Sequence, residues 1–227
     1  MEDIIIYYIN LKKDIKRNSH MISILNELNI NFERIEGING YDINLNKKYT
    51  VIHTDKFPMT RGQYGCYLSH IKCYKKFIES KYKYLIILED DVILNKNFKE
   101  SIIYLFNNYS KFLSKIDFLY LSRSNTLKEY QYKIRENYYN DDFIYSPETC
   151  GYGFFSYFLT KNGASKLLNI INKAKIHYDK INIFVPVDVM DTWTHYGKRI
   201  NILLNVYALK EEITTFASMG SNTEEIH

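Results

Sequence analysis

Residues 84–91 read YLIILEDD, and this stretch decides the fold class. Its first five residues are apolar at nearly every position, which is typical of a short strand buried on both faces of a parallel sheet. Three acids, Glu89, Asp90 and Asp91, follow without a gap. In open α/β sheets, ligands bind beyond the carboxyl ends of the strands. The stretch therefore predicts a central strand with a polar site at its end.

Strand and helix patterns alternate on both sides of this stretch, which indicates βαβ units. A helix is marked by an apolar stripe of Ile15, Ile22, Leu25 and Leu28. The remaining predicted elements are strands at 4–9, 32–35, 84–88, 117–121, 152–159 and 200–206, and helices at 60–80, 98–113, 161–171 and 187–196. Residues 41–59 are predicted to form a long loop, and 124–147 fits a loop or a hairpin equally well.

We expect a single α/β domain over residues 1–217, with a mostly parallel central sheet, helices on both faces and a flexible tail at 218–227. The chain has 227 residues, of which 46% are hydrophobic and 25% charged, so wholesale disorder is excluded. A net charge of +4 is too diffuse to indicate nucleic-acid binding.

Compartment and membrane signals are few. The N-terminus lacks the pattern of a signal peptide, and no run of 18 apolar residues predicts a membrane span. Cys66 and Cys73 lie on one predicted helix, roughly 10 Å apart along its axis, beyond disulfide reach. We therefore expect a cytoplasmic, reducing location, which leaves peripheral membrane contact open.

The acidic triplet is the strongest candidate site. Adjacent carboxylates repel one another unless a cation or hydrogen-bond donors compensate, and Mg²⁺ or Mn²⁺ takes carboxylate oxygens. Alternation along an extended segment predicts that Glu89 and Asp91 face a metal while Asp90 turns aside. An exposed, solvated turn explains the same three residues equally well.

Other polar residues carry weaker signals when each is considered alone. Asp188 and Asp191 share one face of a short helix introduced by Pro186, where ordinary capping explains them better than catalysis. His70, and likewise His195, is interpreted as structural.

Five motifs follow one another along the chain: INL at 9–11, RGQYGCYLSH at 61–70, LEDDV at 88–92, the segment 151–168, and PVD at 186–188. This order resembles glycosyltransferase family 25, which includes bacterial lipooligosaccharide and collagen galactosyltransferases. The resemblance covers roughly residues 3–210, and its most specific parts are the Gly-Cys-Ser-His helix and the acidic triplet.

The resemblance implies a GT-A fold and an inverting transfer of a hexose, galactose or glucose, from a UDP-sugar to a hydroxyl of a glycan, glycolipid or glycoprotein. It also implies a Mn²⁺ (or Mg²⁺) cofactor and, since such relatives are often dimeric, a homodimer. It assigns Glu89 and Asp91 to the metal and Asp188 to the catalytic base. The donor-binding positions are Asn10, Leu11, Arg17, Ser69, His70, Lys72 and Asp90.

One position departs from the family pattern. Family members commonly carry Gly-Glu-Ile-Gly where this chain has Gly-Gln-Tyr-Gly at 62–65. Thr60-Arg61-Gly62-Gln63 has the form of a capping box, so Gln63 keeps the use as a helix cap and loses a charge. An inactive nucleotide-sugar or glycan binding module is therefore the first alternative. The second is a metal-dependent phosphohydrolase or nucleotidyltransferase, which would need a second metal about 4 Å away or an activated nucleophile.

Overall fold

The centre of the fold is a seven-stranded sheet, seen in a computed structural model that describes residues 2–43, 60–122, 139–147, 155–177 and 204–216. The strands are β1 (Ile4–Asn10), β2 (Phe32–Glu36), β3 (Tyr84–Glu89), β4 (Val92–Leu94), β5 (Phe118–Tyr120), β6 (Ile144–Tyr145), β7 (Ser156–Thr160), β8 (Val206–Leu209) and β9 (Thr214–Phe216). The helices are α1 (Ile15–Asn26), α2 (Arg61–Glu79), α3 (Phe98–Leu113) and α4 (Lys161–His177), with a 3₁₀ turn at Gly40–Asp42.

The sheet is mostly parallel. Its strand order is β2-β1-β3-β7-β5-β8-β6, and five of the seven strands run in one direction while β7 and β6 run against them. Strands β4 and β9 form a separate antiparallel pair. The predicted α/β class with a mostly parallel central sheet is confirmed.

Two hydrophobic cores cover the two faces of the sheet, because alternate residues of each strand point to opposite sides. In β3, Leu85 and Ile87 pack with residues of α2 and α4, whereas Ile86 and Leu88 pack with residues of α1 and α3. The helices on both faces therefore agree with the prediction. Within the described ranges, no helix combines the length and apolar character needed to cross a bilayer.

The predicted stripe of α1 is wrong at two positions. Ile15 and Ile22 are 70% and 38% exposed, whereas Met21 and Leu25 are buried against the sheet. Met21, Leu25 and the partly buried Leu28 follow the i, i+4, i+7 spacing of a helix face. The buried face of the helix is therefore rotated relative to the prediction. The face that carries Met21, Leu25 and Leu28 is the one that packs against the sheet.

The last predicted strand, 200–206, meets the observed one only at Val206, and residues 200–203 lie outside the described residues. Strand β8 begins at Val206, where the prediction ended, and residues 204 and 205 are not extended strand. Strands β4, β6 and β9 have two or three residues each, too few for a period to be read from the sequence. Strand β7 begins at Ser156, whereas residues 151–154 and the predicted helix at 187–196 lie outside the described residues.

Helix α2 begins as predicted, with a capping box. The Gln63 N–H donates to Thr60 Oγ1 at 3.1 Å, and the Thr60 N–H donates to Gln63 Oε1 at 2.9 Å. The helix then passes close to the segment that follows β2. A Cβ added at Gly65 would lie 2.3 Å from the Ile38 carbonyl oxygen, so only glycine permits this approach.

Candidate active site

The carboxyl ends of β1 and β3 meet at the acidic triplet. The parallel register pairs Ile9 with Glu89, which brings Asn10 beside Asp90. Asn10 Nδ2 donates to Asp90 Oδ2 at 2.6 Å, and Arg34 Nε donates to Asn10 Oδ1 at 2.9 Å. Arg34 of β2 therefore orients the Asn10 amide, and the amide in turn donates to the Asp90 carboxylate.

Arg17, in the first turn of α1, binds two of the three acids. Its Nη1 lies 3.0 Å from Asp90 Oδ1 and 3.3 Å from Asp91 Oδ2. Strand β3 ends at Glu89, and Asp90 and Asp91 lie in the turn that follows. Asp90 therefore does not turn away from Asp91 as strict alternation would require, because alternation stops where the strand stops.

Asp91 is buried without a full set of partners. It is 7% exposed, and its Oδ1 accepts no hydrogen bond from the described part of the chain. Burial, reinforced by the nearby Glu89 carboxylate and opposed by Arg17, raises the pKa of Asp91 to about 7. Burial also raises the pKa of Asp90, against the hydrogen bonds from Asn10 and Arg17. Keeping both carboxylates charged is costly even with Arg17 beside them, so a further cation would stabilise them.

Glu89 belongs to a different set of contacts, on the α2 face of the sheet. Its Oε1 lies 3.3 Å from His70 Nε2 and 3.6 Å from Cys66 Sγ. His70 is fully buried, and its Nδ1 lies 2.6 Å from the Tyr157 hydroxyl. The Tyr157 hydroxyl in turn lies 2.8 Å from that of Tyr74. His70 is thus fixed at both ring nitrogens beside Glu89.

The remaining predicted donor-binding residues lie around these two sets of contacts. Ser69 is buried, donates to the Gly65 carbonyl at 2.7 Å and accepts from the Ile38 N–H at 2.8 Å. Its observed contacts join α2 to the segment after β2. Lys72 is exposed, and its Nζ donates to the Glu36 carbonyl at 2.9 Å, at the end of β2.

Leu11 follows β1 directly and is partly buried. Asp188, Asp191 and His195 lie outside the described residues, so their predicted roles stay predictions.

Sequence reasoning missed Arg34 and Tyr157 and did not connect Cys66 to Glu89. The i, i+4 spacing of Cys66 and His70 was an available signal, since such residues share one helix face. No comparable signal marked Tyr157, because the chain has 22 tyrosines. Arg34 acts through Asn10, and only the strand register brings the two together.

Two sets of atoms in the described residues could hold a cation. One centres on Asp91 Oδ1, and the other consists of the side chains of Cys66, His70 and Glu89. Comparison with known proteins identifies the family of the chain. The family model described as "Glycosyltransferase family 25 (LPS biosynthesis protein)" matches residues 3–188. The chain belongs to glycosyltransferase family 25.

Similar family 25 proteins come from animals. Procollagen galactosyltransferase 2 of Homo sapiens is 28% identical over 173 residues, which cover 72% of this chain and 27% of the human protein. A glycosyltransferase 25 family member of Aedes aegypti is 23% identical over 216 residues, covering 87% of this chain and 33% of the mosquito protein. The chain spans about a third or less of the length of these relatives.

A solved structure is also similar. It is described as a glycosyltransferase involved in the glycosylation of the major capsid of PBCV-1, and it matches at a TM-score of 0.40 and 10% identity, over 88% of this chain and 73% of that one.

Proposed function

We propose that this chain is an inverting, metal-dependent glycosyltransferase that moves a hexose, galactose or glucose, from a UDP-sugar to a hydroxyl of a glycan, glycolipid or glycoprotein. The observation that carries the proposal is the buried Asp90–Asp91 pair with its unpartnered Asp91 Oδ1. Membership in family 25 supports the reaction class. The procollagen galactosyltransferases among the relatives favour galactose.

The residues present fit a hard divalent cation. Mn²⁺ and Mg²⁺ prefer oxygen ligands, and Asp91 Oδ1 is a buried carboxylate oxygen that nothing in the described residues satisfies. Asp91, together with Glu89, would hold the ion. Bound there, it would stabilise the negative charge that develops on the departing diphosphate.

Arg17 and Asn10 keep the acidic turn in one orientation. Arg17 contacts both Asp90 and Asp91, and Asn10 contacts Asp90. Because these contacts are made within the chain itself, little reorganisation of the turn would be needed during the reaction. Asp90 and Asn10 are assigned to the donor on position, at the sheet edge where ligands bind. Leu11, Ser69, His70 and Lys72 are assigned to the donor on the family resemblance alone.

Asp188 is proposed as the general base, on its place in the family motif. Its carboxylate would take the proton of the acceptor hydroxyl while that oxygen forms a bond to the anomeric carbon. The bond from this carbon to the UDP oxygen breaks on the opposite side, so the configuration inverts and UDP leaves.

The test is UDP release from a panel of UDP-hexoses, with and without Mn²⁺ and without acceptor, since slow transfer to water liberates UDP. Wild type is compared with Asp91→Ala and with Asp142→Ala, a matched control at an exposed acid beside β6, at the far edge of the sheet. Release from one donor, dependent on Mn²⁺, lost in Asp91→Ala and retained in Asp142→Ala, supports the proposal. UDP binding without release from any donor would favour the binding module.

A further inference from the structure

Cys66, His70 and Glu89 bring three different ligand atoms to one point. Glu89 Oε1 lies 3.3 Å from His70 Nε2 and 3.6 Å from Cys66 Sγ, and all three atoms lie within 4.8 Å of one another. We infer that these side chains form a second cation site, suited to Zn²⁺, which shares Glu89 with the proposed Asp91 site but does not use Asp91. The inference needs neither a nucleotide nor the proposed transfer reaction.

Two of the three separations between the ligand atoms match tetrahedral zinc. Zn²⁺ binds sulfur at about 2.3 Å, and nitrogen or carboxylate oxygen at roughly 2.0–2.2 Å. With tetrahedral angles, these bond lengths separate nitrogen from oxygen by about 3.3–3.4 Å and sulfur from oxygen by about 3.6 Å. The observed separations are 3.3 Å and 3.6 Å. An ion could therefore enter between the three side chains with little change in the His70–Glu89 and Cys66–Glu89 distances.

The surroundings of His70 meet a second requirement of a metal ligand. A coordinating histidine usually donates its other ring N–H to a fixed partner, which sets the tautomer. His70 Nδ1 lies 2.6 Å from the Tyr157 hydroxyl, which lies 2.8 Å from the Tyr74 hydroxyl. Both tyrosines are fully buried, so this chain of groups is preformed.

The same chain of hydrogen bonds can run in either direction. Without an ion, His70 Nε2–H donates to the Glu89 carboxylate, and Nδ1 accepts from Tyr157, which accepts from Tyr74. With an ion, Nε2 offers its lone pair to the metal, Nδ1–H donates to Tyr157, and Tyr157 donates to Tyr74. Hydroxyl groups donate and accept equally well, so neither state leaves His70 unsatisfied.

Ligand type distinguishes this site from the acidic turn. Thiolate and imidazole favour Zn²⁺, whereas oxygen-only sets favour Mg²⁺ and Mn²⁺. The three ligands are also held by regular structure, since Cys66 and His70 share a face of α2 and Glu89 ends β3. Three protein ligands leave the fourth tetrahedral position for water or another molecule, as in catalytic zinc sites.

The experiment is a Co²⁺ titration of the chelator-treated full chain, kept reduced with a phosphine. Tetrahedral Co²⁺ with a thiolate ligand gives visible d–d bands and a sulfur-to-cobalt charge-transfer band. We expect both to saturate at one Co²⁺ per chain and to disappear on addition of one equivalent of Zn²⁺. Absence of the charge-transfer band would overturn the inference.

Variants identify the ligands. Cys66→Ser should lose the charge-transfer band, whereas the matched controls Cys73→Ala and Cys150→Ser should keep it. Asp91→Asn should also keep it, because that oxygen belongs to the other site. A band that survives in Cys66→Ser, with the far-ultraviolet circular dichroism of wild type, would overturn the assignment.

Tyr157→Phe removes the hydroxyl that contacts His70 Nδ1 without removing a ligand. We expect Zn²⁺ affinity, measured by competition with a chromogenic chelator, to fall by about 10–100-fold. Unchanged affinity in a folded Tyr157→Phe protein would contradict the proposed role of the tyrosine. A phenylalanine fills nearly the same volume, so packing against Phe118, whose ring stacks on Tyr157, should persist.

Discussion

Asp117 and Asp91 are both buried carboxylates next to strands of one sheet, yet their partners differ. Asp117 precedes β5 and is fully buried. Its Oδ1 accepts from Asn162 at 2.6 Å, and its Oδ2 accepts from Lys166 at 2.6 Å and from the Asn205 N–H at 2.8 Å. Each oxygen has a donor, and the donors come from α4 and from Asn205, the residue before β8.

Asp91 follows β3, so it lies at the carboxyl end of its strand, whereas Asp117 lies at the amino end of β5. Its Oδ2 accepts from Arg17 at 3.3 Å, and its Oδ1 accepts from nothing in the described residues. Burying a carboxylate without full hydrogen bonding is unfavourable. Asp117 therefore joins elements of the fold, whereas Asp91 Oδ1 has no hydrogen-bond donor among the described residues, as the proposed metal ligand requires.

The largest expected effect is on turnover. Asp91→Asn replaces one carboxylate oxygen by an amide nitrogen, so we expect UDP release to fall by about 1000-fold or more, equivalent to about 4 kcal/mol of activation free energy. Asp117→Asn should change the rate per folded molecule by less than about 3-fold, because it contacts no ligand. Steady-state rates of both variants, normalised to the folded fraction, check the contrast. Equal losses would remove the distinction between the two acids.

The next effect is on stability as a function of pH. Asp91 has a folded pKa of about 7, above the unfolded value of about 3.9. Between these values the folded chain binds more protons, so the free energy of unfolding of the metal-free protein falls as pH rises. The loss from this group is up to about 4 kcal/mol, complete above pH ~7. The contribution of Asp91 to the free energy of unfolding should therefore be greatest below pH ~4.

Urea unfolding of chelator-treated protein at pH 5 and pH 8 measures this dependence. Asp91→Asn has no charge to bury, so the difference in unfolding free energy between the variant and wild type should grow in favour of the variant from pH 5 to pH 8. A constant difference across this range would mean that Asp91 does not titrate there. Asp142→Asn, at an exposed acid, is the matched control.

Asp117→Asn should lower the free energy of unfolding by about 2–3 kcal/mol. Its amide group would place N–H donors against the donors from Lys166 or Asn205, leaving buried groups unpaired. The Lys166 side chain is 37% exposed and can be hydrated, which keeps the cost below the roughly 3–5 kcal/mol of a fully buried broken ion pair. Urea unfolding at pH 7 checks this value. A cost below that of Asp142→Asn would contradict the structural role of Asp117.

The difference between these acids could be predicted only in part from the sequence. The strand at β3, the acids after it and the Thr60–Gln63 capping box are local patterns, and all three were predictable. The location of the site at the end of β3 followed from the general behaviour of α/β sheets. The fully satisfied state of Asp117 was not predictable, because its donors lie 45, 49 and 88 residues away in the chain.

The contacts around the acidic turn also depend on distant residues. The bonds from Asn10 and Arg17 to Asp90 join residues 80 and 73 positions apart, and only the pairing of β1 with β3 creates them. The family resemblance assigned both residues to the donor and did not predict their contacts with Asp90. Strand alternation failed at Asp90 for a local reason, since the strand ends one residue earlier.

The smallest effects are expected at Gln63, whose described hydrogen bonds are those of the capping box with Thr60. Its variants show how large an effect is expected away from Asp91 and Asp117. Gln63→Ala removes the side-chain acceptor for the Thr60 N–H, so it should cost about 0.5–1 kcal/mol. Gln63→Glu keeps the acceptor and adds a negative charge at a helix N-terminus, which should stabilise by about 0.3–0.5 kcal/mol. Thermal unfolding of both variants measures the two shifts.

Activity at the same position separates capping from chemistry. If Gln63 only caps α2, both variants should release UDP within about 3-fold of wild type, because 3-fold is less than about 1 kcal/mol of activation free energy. A gain of 10-fold or more in Gln63→Glu alone would mean that the acid common in family 25 contributes to the reaction. The functional carboxylates would then extend beyond the turn at the end of β3 to the first turn of α2.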